Sequence, residues 1–320
     1  MISICITVIN EPELTRKCIE SVQTYTRHPF EIVVCDNGST NQETIDYLNS
    51  LDKNNEIRLI RNHTNVGCGP AWNQELLWVD PQTDYVTILH NDAEVIRDWV
   101  DIMTAPFGPK VGLVASERIG NHPDNRFVAG VITNERQVAA GPIYVIKKSV
   151  LDEVGLLDEQ FRPIYFDDAD WMLRFKLWGY DLFVTLDGKF PHVEFTTTAK
   201  PRDPVSVGQI VDRNRERMRR KWEGTYLSLL PGWDGISAPP EPETWIYNGG
   251  RQFLRVRRSD HQVTASETCI APYRVSADEC SQCSNSRCWK KFLPQEELNE
   301  VREIGLPLYP DYPPDINVIR

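Results

Sequence analysis

The stretch that decides the fold runs from Glu31 to Thr40 and reads Glu-Ile-Val-Val-Cys-Asp-Asn-Gly-Ser-Thr. Its first half is a short apolar run rich in β-branched residues, which favours a strand. Its second half contains a turn sequence and then hydroxyl residues that commonly begin a helix. Strands that are apolar along their whole length, rather than at alternate positions, are typical of sheets covered on both faces. The stretch therefore predicts one strand of a buried sheet, followed directly by a helix.

The same pattern recurs along the first part of the chain. Strands are predicted at Ile2–Ile9, Glu31–Cys35, Ile57–Arg61, Tyr85–Leu89, Val111–Ala115 and Pro142–Ile146. Helices are predicted between them at Glu13–Tyr25, Asn41–Leu51, Gly69–Val79 and Arg97–Met103. Alternation of this kind implies an α/β fold with a mostly parallel, doubly wound, Rossmann-like sheet. With 320 residues in all, we expect one large domain at 1–225 and an irregular, Cys-rich extension at 226–320.

Composition and charge exclude some classes of protein. The formal net charge of -11 argues against nucleic acid as a partner, because phosphate recognition needs clustered basic residues. No run of about 18 apolar residues occurs, so we predict no transmembrane segment. The N-terminus carries no recognisable export signal, and we expect a cytoplasmic protein.

Polar side chains follow four of the predicted strands. In an open α/β sheet, ligands bind beyond the carboxyl ends of the strands, so these residues are the ones to inspect. They are Asn10 and Glu11, then Asp36 to Ser39, then Asn62 to Gly67, and finally His90 to Asp92. Asp36 can accept hydrogen bonds from a base or a ribose, or it can simply close a turn. Asp92 can hold a divalent cation that neutralises a pyrophosphate, or it can belong to an ordinary polar loop.

Three carboxylates lie close together at Asp167, Asp168 and Asp170, immediately before a predicted amphipathic helix. Crowded carboxylates repel one another, so at least one is expected to act as a base, a metal ligand or a hydrogen-bond acceptor. Capping of the helix is the competing interpretation, but one cap explains only one aspartate.

Taken in order, these segments resemble the glycosyltransferases of family 2, which have the GT-A fold, and in particular their rhamnosyltransferase-like members. The resemblance covers roughly residues 1–225. It rests on Thr7–Glu11, Val33–Thr40, Asn65–Asn73, His90–Asp92, Ala140–Lys148, Val154–Asp158, Phe166–Arg174 with Gly179-Tyr180, His192, and Asn214 to Trp222.

The resemblance implies an inverting, metal-dependent transfer of sugar from a nucleotide-diphosphate donor to a hydroxyl of a glycan, a lipid-linked or a small-molecule acceptor. The implied donor-binding residues are Thr7, Asn10, Glu11, Asp36, Asn65, Gly67, Asn73 and Asn91. Asp92 and His192 would hold Mn²⁺ or Mg²⁺, and Asp168 would be the general base. His90 departs from the family pattern, which has an aspartate there; it is either a weak ligand or a packing residue, with packing favoured. A non-catalytic nucleotide-sugar-binding module and a sugar nucleotidyltransferase remain as alternatives.

Two further features lie late in the chain. Cys269, Cys280, Cys283 and Cys288 have a spacing that suits a structural Zn²⁺ site, with reduced thiols or disulfides as alternatives. The basic stretch Arg213–Lys221 predicts a helix that either faces an anionic membrane or lipid-linked acceptor, or closes the domain as a solvated helix, which we favour.

Overall fold

The computed structural model describes residues 1–116, 118–120, 130–131, 138–185, 189–193, 207–222, 243–247, 252–257 and 263–268. The four cysteines at 269, 280, 283 and 288, and with them the predicted zinc site, lie outside these residues.

A mixed sheet of eight strands forms the centre of the fold. In their order across the sheet, its strands are β3 (Arg58–Asn62), β2 (Phe30–Asn37), β1 (Ile2–Val8), β4 (Tyr85–Leu89), β9 (Ile143–Lys147), β5 (Val111–Ala115), β10 (Asp181–Val184) and β7 (Gly130–Val131). A separate two-stranded ribbon pairs β6 (Arg118–Gly120) with β8 (Val138–Ala140). Strands β3, β2, β1 and β4 run parallel, as do β5 and β10. The predicted α/β fold with a mostly parallel sheet is confirmed.

Two strands of the sheet, β7 and β9, run against the other six, and the direction of β9 was not predicted from the sequence. The run expected at Pro142–Ile146 forms β9, which pairs antiparallel with both β4 and β5. A fully buried strand is apolar throughout whichever way it runs, so its composition did not reveal its direction.

The four predicted helices are present with small shifts at their ends, as α1 (Pro12–Tyr25), α2 (Gln42–Lys53), α3 (Cys68–Trp78) and α4 (Trp99–Thr104). Later come α5 (Lys148–Val154), a 3-10 turn at Glu159–Phe161, α6 (Asp167–Leu177) and α7 (Val207–Trp222). The caps follow from sequence: Pro12 opens α1, and the Asn41 side chain accepts from the Thr44 amide at the start of α2. None of the described helices has the length and apolar character that crossing a bilayer requires.

The sheet is covered on both faces. On one face α1, α2 and α4 pack through Ile19, Leu48 and Trp99, all fully buried. On the other, α3, α5 and α6 pack through residues such as Trp72 and Trp171. Each large side chain fully buried in this way contributes about 1.5–3 kcal/mol to stability. Because helices cover both faces of the sheet in the described part of the chain, we expect ligands at the strand ends.

A three-stranded antiparallel sheet lies in the extension that we expected to be irregular. Its strands are β11 (Glu243–Tyr247), β12 (Gln252–Arg257) and β13 (Val263–Thr268), in that order.

Candidate active site

Asn10 connects the loops that follow β1 and β2. Its amide N–H donates to the Ser39 hydroxyl at 2.8 Å, and its side-chain oxygen accepts from the Thr40 and Asn41 amides at 2.8 and 2.7 Å. Asn10 and Glu11 both have left-handed backbones, with φ of 57° and 53°. A non-glycine residue in that region is strained unless its surroundings hold it there. The two loops therefore form one fixed rim at the end of the sheet.

Asp36 lies at the end of β2 with both carboxylate oxygens engaged. One accepts from the Ser39 amide at 2.9 Å, and the other pairs with Arg61 Nε at 3.1 Å. The turn next to it needs glycine, because Gly38 has φ of 84° and a Cβ there would lie 2.5 Å from the Thr64 carbonyl carbon. Asp36 thus closes the turn, and its contact with a base or ribose stays a prediction.

Hydrogen bonds from the buried Asn37 side chain hold the Asn65–Gly67 loop in place. Asn37 Nδ2 donates to Asn65 Oδ1 at 3.0 Å and to the Gly67 carbonyl at 3.2 Å, and the Gly67 amide donates to Asn65 Oδ1 at 2.9 Å. Gly67 has φ of 99°, and a Cβ there would come within 3.0 Å of the Pro163 carbonyl oxygen. The predicted border of the diphosphate is therefore fixed at the N-terminus of α3, where helix dipoles favour anions.

Helix α3 carries three consecutive buried polar side chains, each facing a different element. Asn73 Nδ2 donates to the Leu157 carbonyl at 2.9 Å and its Oδ1 accepts from the Leu157 amide at 2.8 Å, so Asn73 holds the segment before α6. Its side chain is fully buried and engaged in this way, and its predicted place in the donor pocket stays a prediction. Gln74 exchanges hydrogen bonds with Asn62 at the end of β3.

Glu75, the third of these side chains, accepts from the Cys35 amide at 2.9 Å and from the Thr7 hydroxyl at 3.1 Å. It is fully buried, and burial raises its pKa well above the ordinary value. The Glu75 carboxylate therefore fixes the position of the Thr7 hydroxyl, a predicted pocket residue. Glu75 was not predicted as a functional residue; its one sequence signal is the uninterrupted run of polar residues, Asn73 to Glu75, within an otherwise apolar helix.

A short β-bridge brings His192 to Asp92. The Val193 amide donates to the Asp92 carbonyl at 3.0 Å, and the Glu94 amide donates to the Pro191 carbonyl at 2.9 Å. His192 Nε2 consequently lies 3.5 Å from Asp92 Oδ1. These two predicted metal ligands, about a hundred residues apart in sequence, are neighbours in space. Asn91 beside them turns inward and donates to the Thr15 hydroxyl at 3.1 Å, so its side chain supports α1.

His90 packs as we expected, but it also faces the cluster. Its ring stacks on Trp72 with centroids 5.8 Å apart and meets Tyr144 and His192 edge-on at 6.4 and 6.0 Å. One nitrogen of each histidine and a carboxylate oxygen of Asp92 all lie within 4.8 Å of one another. Burial, opposed by the charge of Asp92 and reinforced by His192, lowers the pKa of His90 to about 4. The imidazole is therefore neutral near neutral pH.

The three aspartates of α6 have three different environments. Asp170 forms a fully buried ion pair with Arg174 at 3.1 Å. Burial raises the pKa of Asp167, and the adjacent Asp168 charge adds to the effect. Burial also raises the pKa of Asp168, which is partly exposed and accepts hydrogen bonds from the Ala169 amide and the Tyr144 hydroxyl. None of them caps the helix, because the capping position is Phe166. All three nevertheless lie in the first turn of α6, where the helix dipole favours carboxylates.

Tyr144 connects Asp168 with the cluster of His90, Asp92 and His192. It is buried in β9, its hydroxyl bonds to Asp168, and its ring meets His90. Asp168 therefore lies on the same side of the sheet as the cluster of His90, Asp92 and His192. The side chains on which the predicted chemistry depends form one contiguous group.

Helix α7 holds the segment that leads into Asp168. Asn214 Nδ2 donates to the Ile164 and Tyr165 carbonyls at 2.9 and 3.0 Å, and Arg213 Nη2 donates to the Arg162 carbonyl at 2.9 Å. Arg217 donates to the Gln160 carbonyl. These side chains of the basic helix thus donate to backbone carbonyl oxygens, which supports the interpretation of α7 as a helix that closes the domain.

Comparison with known proteins agrees with this architecture. Residues 3–159 match the model of the family described as Glycosyl transferase family 2. An uncharacterized protein, y4gI, of Sinorhizobium fredii (strain NBRC 101917 / NGR234) is 24% identical over 255 residues, which cover 70% of this chain and 28% of that protein. The chain thus spans less than a third of that relative.

Among solved structures, S. aureus TarS 1–349 is similar with a TM-score of 0.47 and 16% identity, over 59% of each chain. The mannosyltransferase PcManGT from Pyrobaculum calidifontis, in complex with GDP-Man and Mn²⁺, has a TM-score of 0.44 and 18% identity, over 58% of this chain and 55% of that one. Assignment to a family rests on the match over residues 3–159, which ends just beyond Asp158 and includes the strand-end loops described above. Residues 3–159 of this chain thus match glycosyltransferase family 2.

Proposed function

We propose that this protein transfers a sugar from a nucleotide-diphosphate donor to an acceptor hydroxyl, with inversion at the anomeric carbon. The observation that carries the proposal is the assembly of Asp92, His192 and Asp168 around Tyr144 and His90 at the strand ends of one sheet. An anchor for a cation and a carboxylate base are the two groups that such a transfer needs.

The donor would bind along the rim made by the loops after β1, β2 and β3. Asp36 and the residues Thr7 to Glu11 would face the nucleoside, and Asn65 and Gly67 would border the diphosphate. The Asn10 and Asn37 hydrogen bonds hold these loops in place before any ligand arrives. Binding would therefore require little ordering of the chain, which favours affinity.

Asp92 and His192 would hold a divalent cation, Mn²⁺ or Mg²⁺. Such an ion, when bound, neutralises the charge that develops on the departing diphosphate. The donor atoms fit, because carboxylate oxygen and neutral imidazole nitrogen are both ordinary ligands of Mn²⁺. His192 and Asp92 are only 15% and 9% exposed, so water screens the site weakly.

Asp168 would accept the proton of the acceptor hydroxyl. As the hydroxyl oxygen bonds to the anomeric carbon, the bond from that carbon to the diphosphate breaks and the O–H proton passes to the carboxylate. The acceptor attacks opposite to the leaving group, so the configuration inverts. Only the ionised carboxylate can act in this way, and the Tyr144 hydrogen bond favours that form.

The two alternatives predict different behaviour. A sugar nucleotidyltransferase usually has a glycine-rich basic loop after its first strand, whereas Asn10-Glu11-Pro12-Glu13 is acidic and lacks glycine. A binding module without catalysis would bind the donor and leave it intact.

The test is a panel of UDP-, GDP- and dTDP-sugars with Mn²⁺, followed by released nucleotide. We expect slow hydrolysis or transfer with at least one donor. Asp168→Asn should abolish turnover while donor binding, measured by calorimetry, persists. Asp46→Asn, the same substitution at an exposed aspartate of α2, is the control and should keep full activity. Full turnover by the Asp168→Asn variant would rule out the proposed base.

A further inference from the structure

A histidine stands at the position where the family pattern has the first metal-binding aspartate, and its surroundings suggest more than packing. His90 Nε2 is buried and has no hydrogen-bond partner among the residues that the structure describes. A phenylalanine would stack on Trp72 and meet Tyr144 equally well without leaving a polar nitrogen unpaired. An unpaired buried nitrogen is unfavourable unless something else binds it.

A bound cation is a candidate partner for this nitrogen. One nitrogen from His90, one from His192 and one carboxylate oxygen from Asp92 lie within 4.8 Å of one another. Two ligands on opposite sides of a transition-metal ion, each at about 2.1 Å, are separated by about 4.2 Å. Side-chain shifts of less than an ångström, roughly, would therefore bring all three atoms onto one ion.

We propose that His90 is a third protein ligand of the cation, so that the site is a two-histidine, one-carboxylate set that selects Mn²⁺ and discriminates against Mg²⁺. This inference rests on the proposed function for the location of the cation and extends it to the identity of the ion.

The selectivity follows from the chemistry of the ligands. Mg²⁺ is hard, binds oxygen and keeps most of its water, so exchanging water for two imidazole nitrogens is unfavourable. Mn²⁺ accepts imidazole more readily, and nitrogen-containing sites favour the later divalent ions generally. An aspartate at position 90 would add a hard oxygen and weaken the discrimination.

The experiment uses the full chain stripped of metal with EDTA and titrated with Mn²⁺ alone and with Mg²⁺ alone by calorimetry. Pulsed electron paramagnetic resonance of the Mn²⁺ complex reports nitrogen ligands through ¹⁴N modulation. We expect Mn²⁺ to bind at least about tenfold more tightly than Mg²⁺, with modulation from two imidazoles. Mg²⁺ binding as tight as Mn²⁺ binding, or a single coupled imidazole in the wild type, would overturn the proposal.

Two variants sharpen the result. His90→Phe keeps the ring contacts with Trp72 and should weaken Mn²⁺ binding by about tenfold or more and remove one nitrogen coupling. His90→Asp should gain affinity for Mg²⁺ relative to Mn²⁺. The control is His63→Phe at an exposed histidine, which should change neither quantity. A His90→Phe variant with unchanged Mn²⁺ affinity and couplings would contradict the assignment.

The spectroscopic readout separates this proposal from the proposed function. If the wild type shows two coupled imidazoles but processes no nucleotide sugar, the cation site stands and the proposed reaction fails. If it transfers sugar with Mg²⁺ and Mn²⁺ equally well and shows one coupled imidazole, the reaction stands and the role of His90 fails.

Discussion

Removal of the Asn214 side chain tests how the base is positioned. Asn214 is fully buried in α7, outside the segment that matches the family. Its amide holds the carbonyls of Ile164 and Tyr165, which come directly before the α6 turn. Tyr165 and Phe166 have left-handed backbones, with φ of 75° and 73°, and such consecutive strained residues persist only where their surroundings hold them. We assign Asn214 as a positioning residue for Asp168.

Asn214→Ala leaves two partly buried carbonyl oxygens without their donor. An unsatisfied buried group costs about 1–3 kcal/mol, so we expect the free energy of unfolding to fall by roughly 2–4 kcal/mol, with water replacing part of the loss. Asp168 lies two residues beyond the strained turn. A displacement of about 1 Å in a catalytic group can lower the rate by about 100-fold, so we expect kcat to fall roughly 10- to 100-fold.

The assay measures kcat and KM for the active donor, together with nucleotide affinity and urea unfolding. Nucleotide affinity should stay within about twofold of the wild type, because the Asn214 side chain donates to the Ile164 and Tyr165 carbonyls rather than to the loops after β1 and β2. Arg215→Ala, at an exposed neighbour on the same helix, should leave every parameter unchanged. If Asn214→Ala lost stability but kept the wild-type kcat, Asn214 would be a purely structural residue.

Two further predictions concern pH. Burial raises the pKa of Glu75, so its stabilising contribution is present below the ordinary glutamate pKa and is lost as the pH rises toward the folded value. The unfolding free energy of Glu75→Gln relative to wild type should therefore rise as the pH increases above the ordinary glutamate pKa, by at most about 1.4 kcal/mol per pH unit. A flat difference in urea titrations would contradict this. The hydrogen bond from Tyr144 lowers the pKa of Asp168 and so opposes the effect of burial. Tyr144→Phe should therefore move the acid limb of the kcat–pH profile to higher pH. An acid limb that stays in place or moves to lower pH would contradict this.

Much of the fold could be predicted because apolar, β-branched runs bounded by turn residues are a local signal. The run at Glu31–Cys35 became β2, and the polar residues after it lie at the strand end as predicted. The direction of β9 could not be predicted in this way. It depends on how the chain returns after β5, and an apolar run is the same in both directions.

The site could be predicted only where a residue type carries its own chemistry. Asp92 and His192 were selected as a carboxylate and an imidazole, and the bridge between Ala93 and His192 brings them together. Glu75 and Asn214 were missed as functional supports, because a polar residue within a helix reveals its role only through a partner that is distant in sequence. The role of His90 was predicted only in part. Its packing was expected from the sequence, but only the structure shows that its Nε2 has no hydrogen-bond partner among the described residues.

The most direct measurement is a crystal structure of the protein with Mn²⁺ and UDP, with anomalous scattering used to locate the ion. We predict a manganese peak between Asp92 and His192, a diphosphate between that ion and the Gly67 loop, and Asp168 facing the space where a sugar would extend. A manganese ion bound elsewhere, or a nucleotide on another face of the sheet, would contradict the account.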